Sequence, residues 1–304
     1  MNTVGILILL GASVIWGSAV AAQSIGMDYI GPFTFQAVRT ALGALAILPV
    51  IIISDLIKLK RYGKKPHDRR ALTDLVKGGL LCGLALFAAC NLQQIGIKYS
   101  TAAKSGFITA LYILLVPLFG LFVRKKTHVH TWLCAAIAAV GLYLLSINER
   151  FTVAPGDLCL IGCAAVYAIH ILIVDRYSKR VDLLKLSLLQ MLTASLLSAV
   201  MMFIFESPGI TAMYDARWTL LYAGVLSSGF AYTLQIVAQR FTDPAAASLA
   251  MSLESVFALL AGVIVLSQVP TVREFAGCAI MFLAIILSRI FDSIYMKRRK
   301  NNPV

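Results

Sequence analysis

The sequence predicts an all-α integral membrane protein of ten transmembrane helices, arranged as two inverted five-helix repeats with both termini cytoplasmic. Three observations predict this. Hydrophobic residues make up 60% of the 304 and charged residues only 13%, with a mean hydropathy of +0.85, whereas soluble domains are roughly half apolar and a quarter charged. Apolar runs recur ten times, and ten helices of about 20 residues each would use roughly two thirds of the chain and leave short loops. The positive charge collects in alternate loops. The expected division is 1–150 for the first repeat, 151–296 for the second and 297–304 for a basic cytoplasmic tail.

The spans cover 4–24, 32–53, 74–96, 101–123, 131–147, 155–174, 184–205, 217–239, 244–267 and 272–292, separated by Gly, Pro or charge clusters. Ala19 and Ala21 in span one mimic a signal-peptidase site. Met1, Asn2 and Thr3 supply no cationic leader, however, so it reads as a retained helix. Lys58, Lys60, Arg61, Lys64, Lys65, Arg69 and Arg70 crowd the second loop, Arg124 to Lys126 the fourth, Arg176, Lys179 and Arg180 the sixth, and Lys297 to Lys300 the tail. The opposite loops hold scattered cations such as Arg150, Arg217 and Arg273, so the termini are read as cytoplasmic. The net charge of +13 thus reports topology, and nucleic acid is not an expected partner. The six cysteines (Cys82, Cys90, Cys134, Cys159, Cys163, Cys278) all fall within apolar runs, where a thiol behaves as a small hydrophobe.

An odd number of spans per repeat forces the second copy to enter the membrane upside down. Shifting the chain by 142 residues sets Leu92-Gln93 on Leu234-Gln235, Lys98-Tyr99-Ser100 on Arg240-Phe241-Thr242, Leu111 on Leu253, Gly120 on Gly262 and Leu145-Ser146 on Leu287-Ser288. Shifting by 151 sets Gly5 on Gly156, Gly11 on Gly162, Trp16 on Tyr167 and Arg39 on Gln190. The halves meet near residue 150.

Over essentially its whole length the chain resembles the drug/metabolite transporter superfamily, EamA type. The resemblance is carried by Trp16-Gly17-Ser18 in span one, by Arg39 in span two, and by "IKYSTAAKSGFITALYILLVPLFGLF" joining spans three and four. It is carried also by "FTDPAAASLAMSLESVFALLAGVIVLSQ" joining eight and nine. In the family the last stretch usually reads Leu-Glu-Pro-Val and ends in Gly-Glu; here Ser255 replaces the Pro and Ser267-Gln268 the final pair. That departure weakens any coupling role carried from the second acid. The resemblance implies ten helices around a central cavity lined by spans one, three, four, six, eight and nine, and transport of amino acids, drugs, sugars or other metabolites.

Polar side chains in the hydrocarbon region are costly and tend to face a bundle interior or a wet cavity. Ser105, Thr109 and Tyr112 recur on one face of span four, and Ser228, Tyr232, Gln235 and Gln239 on one face of span eight. Span one offers Ser13, Trp16 and Gly17, span three Phe87, Asn91 and Gln94, and span six Cys163, Tyr167 and His170. Each hydroxyl alone reads as helix-to-helix glue. Taken together, the stripes read as a cavity in which rings cover the apolar part of a solute while amides bond its polar groups. The substrate-binding candidates are Trp16, Asn91, Gln94, Thr109, Tyr112, Tyr167, His170, Tyr232 and Gln235.

Glu254 lies about ten residues into span nine, near mid-membrane by helical rise. A proton-coupling role weighs evenly against a packing role, because Ala250, Ala258 and Ala261 make its own face small. Its counterpart in the 142-residue register is Tyr112. Arg39 could meet a substrate carboxylate, Glu254 or a backbone carbonyl, and a structural role is favoured because the family places span two at the periphery. His170 could move protons or simply bond Tyr167. Cys159, Cys163 and His170 lie near one face, but no partner motif accompanies them, so no metal is expected. A kink is expected at Pro117, and Asp243-Pro244 reads as an N-cap and first helical position.

The leading expectation is a secondary active transporter of small amphipathic metabolites, an exporter of amino acids or related compounds working by alternating access with possible proton coupling. It would be a multi-pass protein of the bacterial inner membrane, acting as a monomer or homodimer, with a small-molecule substrate and the lipid bilayer as partners and no cofactor. The alternatives are a lipid or headgroup flippase and, less favoured, an intramembrane enzyme. No acidic pair, His-rich motif or Gly-x-Ser-x-Gly elbow supplies a catalytic residue, and no Gly-Lys-Ser/Thr loop supplies ATP binding.

Overall fold

The computed structural model describes residues 3–62, 69–99, 102–125, 128–146, 155–266 and 270–301. Lys64, Lys65, Lys126, Arg150, Ser267, Gln268 and the boundary near residue 150 lie outside them, as do the side chains of Lys297 to Lys300. The elements are α1 (Thr3–Gly26), α2 (Pro32–Tyr62), α3 (Arg69–Tyr99), α4 (Ala102–Ala110), α5 (Tyr112–Phe122), α6 (Val129–Ser146), α7 (Pro155–Ser178) and α8 (Leu183–Phe205). They continue with α9 (Ile210–Asp215), α10 (Arg217–Leu221), a π-helical segment (Tyr222–Ala231), α11 (Tyr232–Gln239), α12 (Pro244–Met251), α13 (Glu254–Leu266) and α14 (Val272–Asn301). Among the described residues all regular structure is helical, and eight helical stretches are long and apolar enough to cross a membrane.

The distribution of residue types is the reverse of a water-soluble bundle. On α8, Leu192, Leu196, Val200 and Phe203 stand exposed at helical spacing, while Ser187, Gln190 and Ser198 are buried on the opposite face. Water would penalise such a surface, whereas acyl chains favour it and exclude the amides and hydroxyls. Small residues then let backbones close up: a methyl added at Gly17 would come within 2.5 Å of the Glu254 carbonyl oxygen, which shows how tightly α1 lies on α13.

Neighbouring helices pair in a definite pattern. α3 packs on α7 and α8, α2 on α8 and the π segment, α1 on α13, the π segment and α11, and α6 on α14. The α2 and α8 helices run side by side in opposite directions, fastened at both ends. At one end Lys58 pairs with Asp182 at 2.7 Å and Lys185 with Asp55 at 2.9 Å. Asp182 also caps α8, accepting the N–H groups of Leu184 and Lys185. Burial pushes its carboxyl upward, but the hydrogen bonds from Lys58 and the Lys185 amide outweigh this and hold it below the usual carboxylate range. At the other end Glu206 caps α2, accepting from the Phe33 amide at 2.9 Å, the Thr34 amide at 2.8 Å and the Thr34 hydroxyl at 2.6 Å.

Three expected spans are less regular than their apolar runs suggest. Span four breaks at Leu111, between α4 and α5, while α5 continues through Pro117 where a kink was expected. Span nine breaks at Ser252-Leu253, between α12 and α13. Span eight passes through the π segment. Asp243 caps α12 through the Ala245 amide at 3.0 Å with Pro244 in the first turn; burial raises its carboxyl above the ordinary value.

Candidate functional site

The polar faces of α1, α3, α7 and α11 converge on four side chains. The Tyr167 and Tyr232 hydroxyls lie 3.1 Å apart, and the Cys90 thiol lies 3.2 Å from the first and 3.4 Å from the second. Trp16 packs edge-on against Tyr232 with ring centroids 5.0 Å apart and donates its indole N–H to the Ser227 carbonyl at 3.3 Å. A π turn has a wider hydrogen-bonding pattern than an α turn, which suits a carbonyl in that segment to accept from outside its own helix. Tyr112 and His170 extend the cluster, with centroids 6.3 Å from Tyr167 and from Tyr232 respectively. Gln93 accepts from the Tyr167 hydroxyl at 3.2 Å.

Of the residues expected in a site, Trp16, Tyr112, Tyr167, His170 and Tyr232 therefore lie together. Asn91 stands apart, donating to the Phe87 carbonyl and, across to α8, the Ser198 hydroxyl. Gln94 donates to the Gln23 carbonyl, and Gln235 to Gln239, which in turn holds the Ile171 carbonyl. Thr109 is buried with its hydroxyl beside the Cys163 thiol, while the hydroxyls of buried Ser105 and half-buried Ser255 have no hydrogen-bond partner among the described residues. Glu254 begins α13 beside Gly17, partly buried and without a hydrogen bond or ion pair among those residues. Ser105 and Ser255 belong to helices that approach each other, with Ser255 Oγ 3.8 Å from a methyl added at Gly106. No group of three metal-ligating side chains gathers among the described residues.

Three participants are not singled out by span-by-span periodicity. Cys90 reads as a buried hydrophobe, yet it bridges both tyrosines; the 142-residue register, which sets it on Tyr232, carries the only signal. Gln23 receives the Arg39 guanidinium at 2.7 Å, and Gln190 meets His170 at 3.2 Å.

Away from this centre, buried Asp175 at the end of α7 is held by Lys179 at 2.6 Å and by Lys125. The chain reaches Lys125 by turning through Arg124 (φ 58°), with the Lys125 amide returning to the Gly120 carbonyl at 2.9 Å. At the opposite end of the bundle a cavity of about 320 Å³ opens among Gly31, Phe33, Ile95, Lys98, Phe205 and Glu206.

Apolar helices facing outward around a polar aromatic centre define a multi-pass membrane protein. The chain belongs to the EamA-like transporter family, whose description fits residues 3–147 and again 154–290, and it is a membrane transporter. It is 28% identical over 276 residues to an uncharacterized transporter of Archaeoglobus fulgidus, covering 90% of this chain and 82% of that one. It is 22% identical to the uncharacterized transporter YoaV of Bacillus subtilis, covering 92% and 94%. A solved crystal structure shares the fold with a TM-score of 0.76 at 18% identity, over 96% of this chain and 98% of that one.

Proposed function

We propose that the chain is a secondary active transporter of small amphipathic metabolites, exporting amino acids or related compounds by alternating access, with Glu254 as the proton-coupling group. Ten spans form two inverted five-helix repeats with both termini cytoplasmic, and the solute binds where the repeats meet.

One observation carries this reading: residues equivalent in the two halves meet at one point. Cys90 and Tyr232, related by the 142-residue shift, touch each other, and Trp16 and Tyr167, related by the 151-residue shift, both touch Tyr232. Such meetings are expected beside a two-fold axis in the membrane plane. Paired close approaches support the same relation. A methyl on Gly5 would lie 3.2 Å from the Ala238 carbonyl, and one on Gly156 3.0 Å from the Gly96 carbonyl; the two shifts exchange these contacts. The helix breaks at Leu111 and Leu253 also stand one register apart, and broken helices at equivalent depth are where transporters place their sites.

A carboxyl at Glu254's depth persists only if protonated or paired, which suits a group that takes up and releases protons. The test is flux of radiolabelled amino acids into proteoliposomes under an imposed pH gradient. Gradient-driven flux lost in Glu254→Gln, with exchange at equal pH retained, is the expected result; unchanged gradient-driven flux would remove the coupling role. Lipid flipping is the second reading, favoured by the cavity beside Lys98, which pairs with no acid among the described residues. Lipid scrambling without solute flux would put it first.

A further inference from the structure

Arg39 is the only lysine or arginine buried among the described residues. It is 2% exposed, about 10 Å into α2 from Pro32, and meets no carboxylate among the described residues. Of its five N–H donors, one bonds Gln23 Oε1 at 2.7 Å, one faces the Cys90 thiol at a weak 3.8 Å, and Nε has no partner. A structural lock would present a carboxylate or a fan of backbone carbonyls, because a buried cation left uncompensated opposes folding. Here the guanidinium is offered amide and thiol groups that leave most of its charge unanswered.

The surroundings indicate what would answer it. Cys90, which Arg39 faces, is bonded to the hydroxyls of Tyr167 and Tyr232, so the cation borders the aromatic centre. The Glu254 carboxyl lies close enough to Tyr112, on the far side of Tyr167, to act on it electrostatically, and it meets no cation among the described residues. In the second half the position equivalent to Arg39 is Gln190, an uncharged amide that meets His170 at 3.2 Å. The site therefore carries one cation, at one edge of a set of rings, with one acid at the other.

We propose that Arg39 binds the carboxylate of the transported solute, which makes the substrate class amphipathic carboxylates, with α-amino acids fitting both charged edges. This rests on the transporter reading. Arg suits the task because its planar fork meets a carboxylate through two parallel charge-assisted hydrogen bonds.

The experiment compares radiolabelled L-phenylalanine and L-leucine with their carboxamides in proteoliposomes of the full chain, using wild type, Arg39→Gln and Arg39→Lys, alongside thermal unfolding of each in detergent without solute. Wild type is expected to move the acids on the order of 10- to 100-fold better than the amides, the loss of a charge-assisted pair. Arg39→Gln should abolish that preference while unfolding at the same temperature or higher, and Arg39→Lys should restore part of the preference. Amides carried as well as acids, or a preference that survives Arg39→Gln, would overturn the proposal while leaving transport standing. A lowered unfolding temperature in Arg39→Gln that Arg39→Lys repairs would overturn it in favour of a structural lock. If neither acids nor amides cross, the proposal falls, and a panel of amines and sugars then decides whether the transport reading falls with it.

Discussion

Helix α3 and its proposed counterpart, the continuous run of α10, the π segment and α11, make corresponding contacts by different means. In α3 a methyl added at Gly83 would lie 2.8 Å from the Gln190 carbonyl and 2.4 Å from Thr193 Cβ. In the counterpart one added at Gly224 would lie 3.0 Å from the Arg39 carbonyl and 2.6 Å from Leu42 Cβ. The 151-residue shift carries Arg39 and Leu42 onto Gln190 and Thr193, so the two glycines are equivalent, and they stand 141 residues apart. Further along, Gly96 and Ala238 are equivalent at 142, as are Cys90 and Tyr232. The counterpart thus holds one residue more than α3 between two matched contacts. Ten residues of π helix absorb it, keeping the packing at both ends and lifting the Ser227 carbonyl toward Trp16. The difference teaches that the two halves need not be locally alike to meet at the same point; one inserted residue separates a plain helix from one with an outward-facing acceptor.

The largest effect expected from this comparison comes from deleting one residue in each helix. Removing Leu86 from α3 rotates everything beyond it by about 100° and shifts it by about 1.5 Å, turning Cys90, Asn91 and Gln94 away from their partners. Little monodisperse protein should survive size exclusion in detergent. Removing Leu226 from the π segment should instead let it close into α helix with both flanks in register, leaving a folded protein with weakened transport because the Ser227 carbonyl is drawn back. Equal damage from the two deletions would break the comparison. A smaller effect sharpens it: Gly83→Ala should destabilise by roughly 1–3 kcal/mol through overpacking, and Gly224→Ala by less, because its approaches are wider and the adjoining π turns can yield. Thermal unfolding of the pair reads the order directly, and the reverse order would contradict it.

Much of this was legible in the sequence because membrane solvent makes periodicity plain. The apolar runs, and the stripe residues Tyr112, Tyr167, His170 and Tyr232 with Trp16, follow from helical spacing alone. The breaks at Leu111 and Ser252-Leu253 do not: the first sits inside an unbroken apolar run, and at the second neither Gly nor Pro marks an end between Pro244 and Ala261. The π segment is equally hidden, and only the change of register from 141 to 142 betrays it. Arg39's neighbours could not be read either, because Gln23 and Cys90 come from other helices and are brought to it by packing. Asn91, Gln94 and Gln235 mark the reverse limit: they share the right faces yet spend their hydrogen bonds on neighbouring helices or on Gln239, outside the aromatic centre.

The proposed transport cycle moves the two halves against each other around the tyrosine cluster. Lys125 lies in the first half and Asp175 in the second, and their ion pair ties the halves together at one end of the bundle. Lys125→Cys with Asp175→Cys, in a chain that keeps buried Cys90 and has its other five native cysteines replaced, can be joined by a short cleavable crosslinker and assayed for solute flux in proteoliposomes. Flux is expected to fall to background when the two are joined and to return when the linker is cut; undiminished flux in the joined protein would rule out that motion.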